Sequence, residues 1–178
     1  PLDMNLVFRL IWIVIKCLSR PVARNPKLPS RLNFRVMPTD CDLNMHMTNA
    51  RYFSFMDLGR VDVMLKTAIR HGFFQERWGP MIGTSFIRFR RALPPFTKFQ
   101  LVSDIIDHDE KWIYMEQRIE VQGELYAVAY FKGLFRAPDG NVESSRVMQK
   151  LNRSGLVESR TELPTVFYQM EKVSRQIQ

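Results

Sequence analysis

Hydrophobic and polar positions follow three different rhythms along this chain. From Leu6 to Leu18 the residues are almost continuously apolar, broken only by Arg9 and Lys16, and the run predicts a helix. Pro21, Pro26 and Pro29 end that pattern, so Pro21 to Ser30 reads as a linker. Arg31 to Met37 then alternates Leu32, Phe34 and Val36 with polar residues, which predicts a strand. Thr48 or Asn49 is placed to cap a long helix through Tyr52, Phe55, Met56, Leu58, Val61, Met64 and Leu65. Lys66, Arg70 and His71 suit its C-terminal end, and Gly72 suits its C-cap. Apolar residues fall on most sides of this helix, Asn49 to His71, so burial is expected.

Beyond the helix the rhythm changes to period two. Strands are predicted at Gly83 to Arg91, Thr97 to Ile106, Lys111 to Val121 and Leu125 to Arg136. Pro94-Pro95, Asp107 to Glu110, and Gln122-Gly123 separate them, and turns this short imply antiparallel pairing. A short helix is expected from Ser144 to Leu151, and a further one after Pro164. The implied fold class is α+β, with a curved antiparallel sheet wrapped around one long buried helix. The chain divides into an amphipathic helix and linker over residues 1–29, a main domain over 30–140, and a C-terminal helix and polar tail over 141–178.

Composition adds limits rather than detail. With 178 residues, 46% hydrophobic and 25% charged, the chain has the makeup of one folded domain, which excludes disorder over most of its length. A net charge of +8 favours an anionic partner: nucleic acid, a membrane surface or a phosphate-bearing small molecule. No recognition helix or aromatic RNA-binding motif accompanies that charge, so nucleic acid is not expected. Cys17 and Cys41 are the only cysteines, with no zinc-type spacing, and the three histidines are scattered. Neither a disulfide framework nor a metal site is expected, and a reducing, cytoplasmic location is the default. The apolar run at residues 6–18 is shorter than the ~20 residues a membrane span needs. Arg9, Lys16 and Arg20 fall near one side of its helix. Two readings stay open: the helix packs on the protein's own sheet or on a partner subunit, or it lies in a membrane surface.

The candidate chemistry lies between the first strand and the long helix. Asp40, Asp42, Asn44 and His46 cluster just before Thr48 and Asn49, where the first amides of a helix point outward. A carboxylate beside such amides is the arrangement that hydrolysis of an acyl group requires: a base or nucleophile, and a donor for the oxyanion. A structural loop anchored by Asp40 and Asn44 accounts for the same residues. Cys41, between two carboxylates, is a poor candidate nucleophile, because both charges disfavour its thiolate.

The spacing Asp40-x-Asp42-x-x-x-His46-x-x-Asn49-x-x-Tyr52, continued at Phe53, Asp57 and Arg60, resembles the motif of hotdog-fold acyl-CoA thioesterases of the 4-hydroxybenzoyl-CoA and long-chain acyl-CoA type. The resemblance covers about residues 31–136 and departs from the motif at Met45, where glycine is usual, and at Thr48, where asparagine is usual. It implies a hotdog fold and hydrolysis of acyl-CoA to free acid and CoA, hence a place in lipid metabolism. Asp42 aligns with the catalytic carboxylate and the Asn49 backbone N–H with the oxyanion donor. Asp40 and His46 align with supporting positions, more as loop anchor and orienter than as proton carriers. Tyr52 and Asp57 are candidate substrate contacts, although Tyr52 suits the core and Asp57 suits a local pair with Arg60 or Arg51. Arg88, Arg90 and Arg91 are candidates for the CoA phosphates. CoA is part of the substrate, so no separate cofactor is implied. The family assembles as homodimers or tetramers with sites at the interface. The alternative is a non-enzymatic acyl-binding or membrane-associated protein on the same scaffold, for which the apolar residues 6–18 and the changes at Met45 and Thr48 speak.

Overall fold

A computed structural model describes residues 4–19, 29–67, 69–151 and 162–175. Five helices are named here in chain order: α1 (Met4–Leu18), α2 (Asn49–Lys66), α3 (Ile69–Gln75), α4 (Ser144–Lys150) and α5 (Glu162–Arg175). Six strands accompany them: β1 (Ser30–Arg35), β2 (Gly79–Phe89), β3 (Lys98–His108), β4 (Ile113–Val121), β5 (Glu124–Ala137) and β6 (Gly140–Val142). The sheet runs β1-β3-β4-β5-β2, antiparallel throughout, and β6 adds to the end of β5. Most of the expected linker, residues 20–28, lies outside the described residues.

Helix α2 is covered by the sheet, as its apolar sides require. Phe55, Met56, Leu58 and Leu65 are buried with Leu32, Phe99, Leu101, Ile119, Ala127, Ala129 and Phe131 of β1, β3, β4 and β5. Each such large apolar side chain removed from water contributes about 1.5–3 kcal/mol. Close approach at mid-helix depends on Gly59, where a Cβ would stand 2.5 Å from Ser103 Oγ and 2.7 Å from Gln117 Nε2. Gln117 crosses the same contact, donating to the Met56 carbonyl at 2.9 Å and to Ser103 Oγ at 2.8 Å. A buried amide so placed fixes the helix along the sheet as well as against it.

The expected single helix to His71 is two helices. Thr67 is extended, and its hydroxyl donates to the Val63 carbonyl at 2.9 Å, competing with the backbone for the last turn of α2. Gly72 is therefore not a C-cap. It is buried inside α3, where a Cβ would meet the Trp78 ring at 2.4 Å. The strand after the helices begins at Gly79, earlier than its alternation indicated, and Pro80 is accommodated because β2 is an edge strand. Gln122 (φ 52°) and Gly123 (φ 86°) form the two-residue turn between β4 and β5, with both residues at positive φ as a type I′ hairpin needs.

Helix α1 packs mainly on α2, burying Ile13 and Cys17, and reaches the β1 end of the sheet through Arg9. Arg9 does not share a solvent face with Lys16. It turns inward to Asp40, whereas Lys16 lies over the Trp12 ring. Arg20 falls outside the described residues. Among the described residues no helix is long and apolar enough to cross a membrane. Helix α5 lies on the other side of the sheet. Its Phe167 is buried against Tyr114, and its Glu171 accepts from Lys132 Nζ at 2.8 Å and from Thr84 Oγ1 at 2.9 Å.

Candidate active site

The segment between β1 and α2 is a tight loop closed by backbone bonds. A short 3-10 turn, Pro38–Asp40, leads into it. Cys41 and Met47 then form an isolated antiparallel bridge, Asp42 N–H donates to the His46 carbonyl at 3.0 Å, and Met45 N–H donates back to the Asp42 carbonyl at 3.0 Å. Met45 sits at φ 57°. That left-handed conformation explains why glycine suits this position and why methionine there carries strain.

The two aspartates have opposite surroundings. Asp40 is fully buried. Its carboxylate accepts from Arg9 Nη2 at 3.1 Å and from Met37 N–H at 2.9 Å, and pairs with Arg51 Nε at 3.5 Å. Its backbone carbonyl accepts from Thr48 N–H at 3.0 Å. Asp40 is therefore an anchor, as a buried carboxylate with two cations must be. Asp42 is exposed. Its Oδ1 accepts from Asn44 N–H at 2.9 Å and from His46 N–H at 3.4 Å. Oδ2 takes no hydrogen bond among the described residues, so a fixed carboxylate presents one free oxygen.

Helix α2 opens directly after the loop. Thr48 is its N-cap residue but its side chain makes no cap bond, so the Asn49 and Ala50 amides point out of the helix mouth. Arg51 N–H is already taken by the Thr48 carbonyl at 2.9 Å. His46 is exposed, and its bonds to Asp42 run through its backbone. Cys41 is half-buried, and its thiol is raised by burial and by the charges of Asp40 and Asp42, against a nucleophilic role.

The remaining candidates are spread more widely. Tyr52 is buried, packs edge-on to Phe89 at 4.9 Å, and has its hydroxyl pushed up to about 12 by burial; it belongs to the core rather than to a cleft. Asp57 is exposed and pairs with Arg60, the local pair the sequence favoured. Arg60 also donates to Gln117 Oε1 at 3.0 Å and lies 4.3 Å over the Phe131 ring. Arg88, Arg90 and Arg91 are exposed. Arg91 pairs with Glu124, and the Arg88 side of β2 is the one that carries Thr84 toward α5, away from α2. The turn after β2 nevertheless meets the motif loop, because Met47 N–H donates to the Leu93 carbonyl at 2.8 Å.

An apolar cavity of about 60 Å³ lies between the C-terminal half of α2 and the sheet, lined by residues such as Val63, Met64, Ile105, Ile113 and Leu134. Asp42 does not line it. Among the described residues no group of three or more His, Cys, Asp or Glu gathers as a metal site. Arg9 and Arg51 are the cations on Asp40, a pairing the sequence did not indicate: it placed Arg9 on the basic side of the first helix and offered Arg51 as a partner of Asp57. The signal for Arg9 was a charged residue inside an otherwise apolar helix.

Comparison with known proteins gives this geometry a family. A model of the Thioesterase-like superfamily matches residues 36–167. Protein THEM6 of Danio rerio is 30% identical over 120 residues, which are 65% of this chain and 57% of the relative. A probable thioesterase of Saccharomyces cerevisiae is 32% identical over 87 residues, 48% of this chain and 37% of the relative. The chain spans less than two thirds of the length of these relatives. Among solved structures, the Escherichia coli probable thioesterase YbaW aligns with a TM-score of 0.64 at 17% identity, over 72% of this chain and 98% of that one. A 4-hydroxybenzoyl-CoA thioesterase variant complexed with 4-hydroxybenzoyl-CoA aligns with a TM-score of 0.60 at 14% identity, over 69% and 97% of the two chains. The chain belongs to the Thioesterase-like superfamily and has the hotdog fold.

Proposed function

We propose that this protein hydrolyses acyl-CoA thioesters to a free carboxylic acid and CoA. The observation that carries the reading is the Asp42 carboxylate, held by loop amides with one oxygen free, at the open N-terminus of α2. Water adds to the thioester carbonyl while Asp42 accepts its proton, and the Asn49 N–H holds the oxyanion that forms. The intermediate collapses by breaking the C–S bond, and the CoA thiolate takes the proton back from Asp42. A single preorganised oxyanion donor contributes about 10²–10³ in kcat. Direct attack by Asp42 expels the CoA thiolate and gives an anhydride that water then opens, using the same residues; only that route can place solvent oxygen in the Asp42 carboxylate, when water attacks the aspartyl carbonyl. Neither route requires a metal.

Asp42 is exposed in its own protomer, which supports a site completed by a second copy. The exposed edge of β2 is the contact we assign to a homodimer, with two β2 strands joining the sheets; a tetramer would pair two such dimers. Arg88, Arg90 and Arg91 are assigned to the CoA phosphates, supported by the Met47 to Leu93 bond that keeps their segment beside the motif loop. The test is steady-state hydrolysis of short, long and aromatic acyl-CoAs by wild type and Asp42→Asn. Loss of kcat on the order of 10²–10⁴ in the variant is expected. Full activity in Asp42→Asn removes its role, and a wild type that turns over no acyl-CoA removes the hydrolase.

A membrane-associated role has its own observation. The outer face of α1 presents Phe8, Ile11, Trp12 and Ile15 at 61%, 47%, 50% and 62% exposure, spaced as one helical stripe. On a chain of net charge +8 this face suits an anionic lipid surface. Wild type should float with anionic phospholipid vesicles and Trp12→Ser/Ile15→Ser should not. Equal behaviour of the two proteins removes the lipid contact.

A further inference from the structure

Arg9 lies on α1, outside the residues that match the family model, yet it reaches into the motif loop. Its Nη2 donates to Asp40 Oδ2 at 3.1 Å and to the Arg35 carbonyl at 3.3 Å, and its Nη1 is 3.5 Å from Asp40 Oδ1. The guanidinium lies 4.6 Å over the Phe55 ring of α2, so one side chain touches the end of β1, the loop and the long helix. Asp40 passes this restraint on in two directions. Through the chain it leads to Asp42 two residues later, and through its carbonyl it holds Thr48 N–H, one residue before the Asn49 amide.

We propose that Arg9 is a positioning residue for the hydrolytic site, fixing the Asp42 carboxylate relative to the first amides of α2 by way of Asp40. The inference rests on the roles given above to Asp42 and the Asn49 N–H. Arg51 leaves Asp40 with one cation when Arg9 is removed, so the loop loosens rather than unfolds. Misplacement by about 1 Å of a reacting group costs on the order of 10²-fold. Arg9 makes its polar contacts with Asp40 and the Arg35 carbonyl, not with Asp42 or the first amides of α2, so the loss falls on kcat. Lysine restores only part of it, because an ammonium lacks the planar fork that spans both carboxylate oxygens and a carbonyl.

The experiment compares wild type, Arg9→Met, Arg9→Lys, Asp40→Asn and the double variant Arg9→Met/Asp40→Asn, with Asp42→Asn as the inactive reference. It reads kcat and KM for acyl-CoA and amide hydrogen exchange at Asn44 and His46. Arg9→Met should lose kcat by about 10- to 100-fold with KM little changed, Arg9→Lys should fall between, and both amides should exchange faster. The double variant should be no slower than Asp40→Asn, because the two residues act as one unit. Wild-type kcat in Arg9→Met beside an inactive Asp42→Asn overturns the inference and leaves the hydrolase standing. Should Arg9→Met fail to fold, Arg9→Lys decides: a reduced kcat supports the role and a wild-type kcat overturns it. A wild type with no acyl-CoA turnover ends the hydrolase reading, and this inference with it.

Discussion

The sheet ends in two unlike edges. β1 is six residues long and turns Arg31, Asn33 and Arg35 to solvent, with Gln100 of β3 bonded to both Arg31 and Asn33. Its first residue, Ser30, donates to the buried Asp62 of α2, and the Arg35 carbonyl at its end is taken by Arg9. β2 is eleven residues long, has one neighbour among the described residues, and exposes Met81, Ile82, Phe86 and Phe89. A short, charged, tied-down strand resists pairing; a long apolar strand with free amides and carbonyls invites it. The same sheet therefore refuses a partner at one edge and offers itself at the other. This contrast in side chains is the reason the proposed homodimer is assigned to the β2 edge.

The largest effect expected from this contrast is on assembly. Ile82→Lys/Phe86→Lys on β2 should convert the proposed dimer to a monomer in sedimentation velocity, since buried charge at the centre of an interface costs several kcal/mol. Hydrolysis should fall with it, because the open side of Asp42 loses the wall the second copy supplies. The matched change at the other edge, Arg31→Glu/Asn33→Glu, should leave the mass unaltered. A dimer that survives the β2 change but not the β1 change would reverse the assignment of the edges.

Local patterns carried the fold, and long-range pairs carried what they missed. Period two in residues 111–136 foretold β4, β5 and the Gln122-Gly123 hairpin, because alternation and turn chemistry are both local. The buried α2 was equally legible from apolar residues on most of its sides. The break at Thr67 was not, since it depends on a threonine hydroxyl competing for helix carbonyls and on Gly72 fitting beneath Trp78. Within the site, the spacing from Asp40 to Tyr52 and the anchoring place of Asp40 were legible through the motif, and the burial that separates Asp40 from Asp42 was not. One is buried because Arg9, 31 residues earlier, comes to meet it. No periodicity records a pair across that separation, and Arg9 read instead as part of the basic side of an amphipathic helix.

The closed edge has a weak point that alkaline pH should reveal. Asp62, fully buried, accepts from Ser30 of β1 and from Cys17 Sγ of α1 at 3.3 Å, and pairs with Lys66. Burial, then the charge of Asp62 and its hydrogen bond, push the Cys17 thiol from 9.0 up to about 12, against the smaller opposing pull of Lys66 and Lys16. Below the unfolded value the thiol is protonated in both states, and its contribution to stability is fully present. Between the two values the unfolded chain releases the proton and the folded chain retains it, so stability falls as pH rises. Replacing Cys17 by alanine removes that slope while sparing every other titrating group, at the cost of one donor to Asp62. Urea midpoints at about pH 8 and about pH 10 should therefore drop further for wild type than for Cys17→Ala. Equal drops would mean that the junction between α1, α2 and β1 opens to solvent before the protein unfolds, and the edge would be less firmly closed than its bonds indicate.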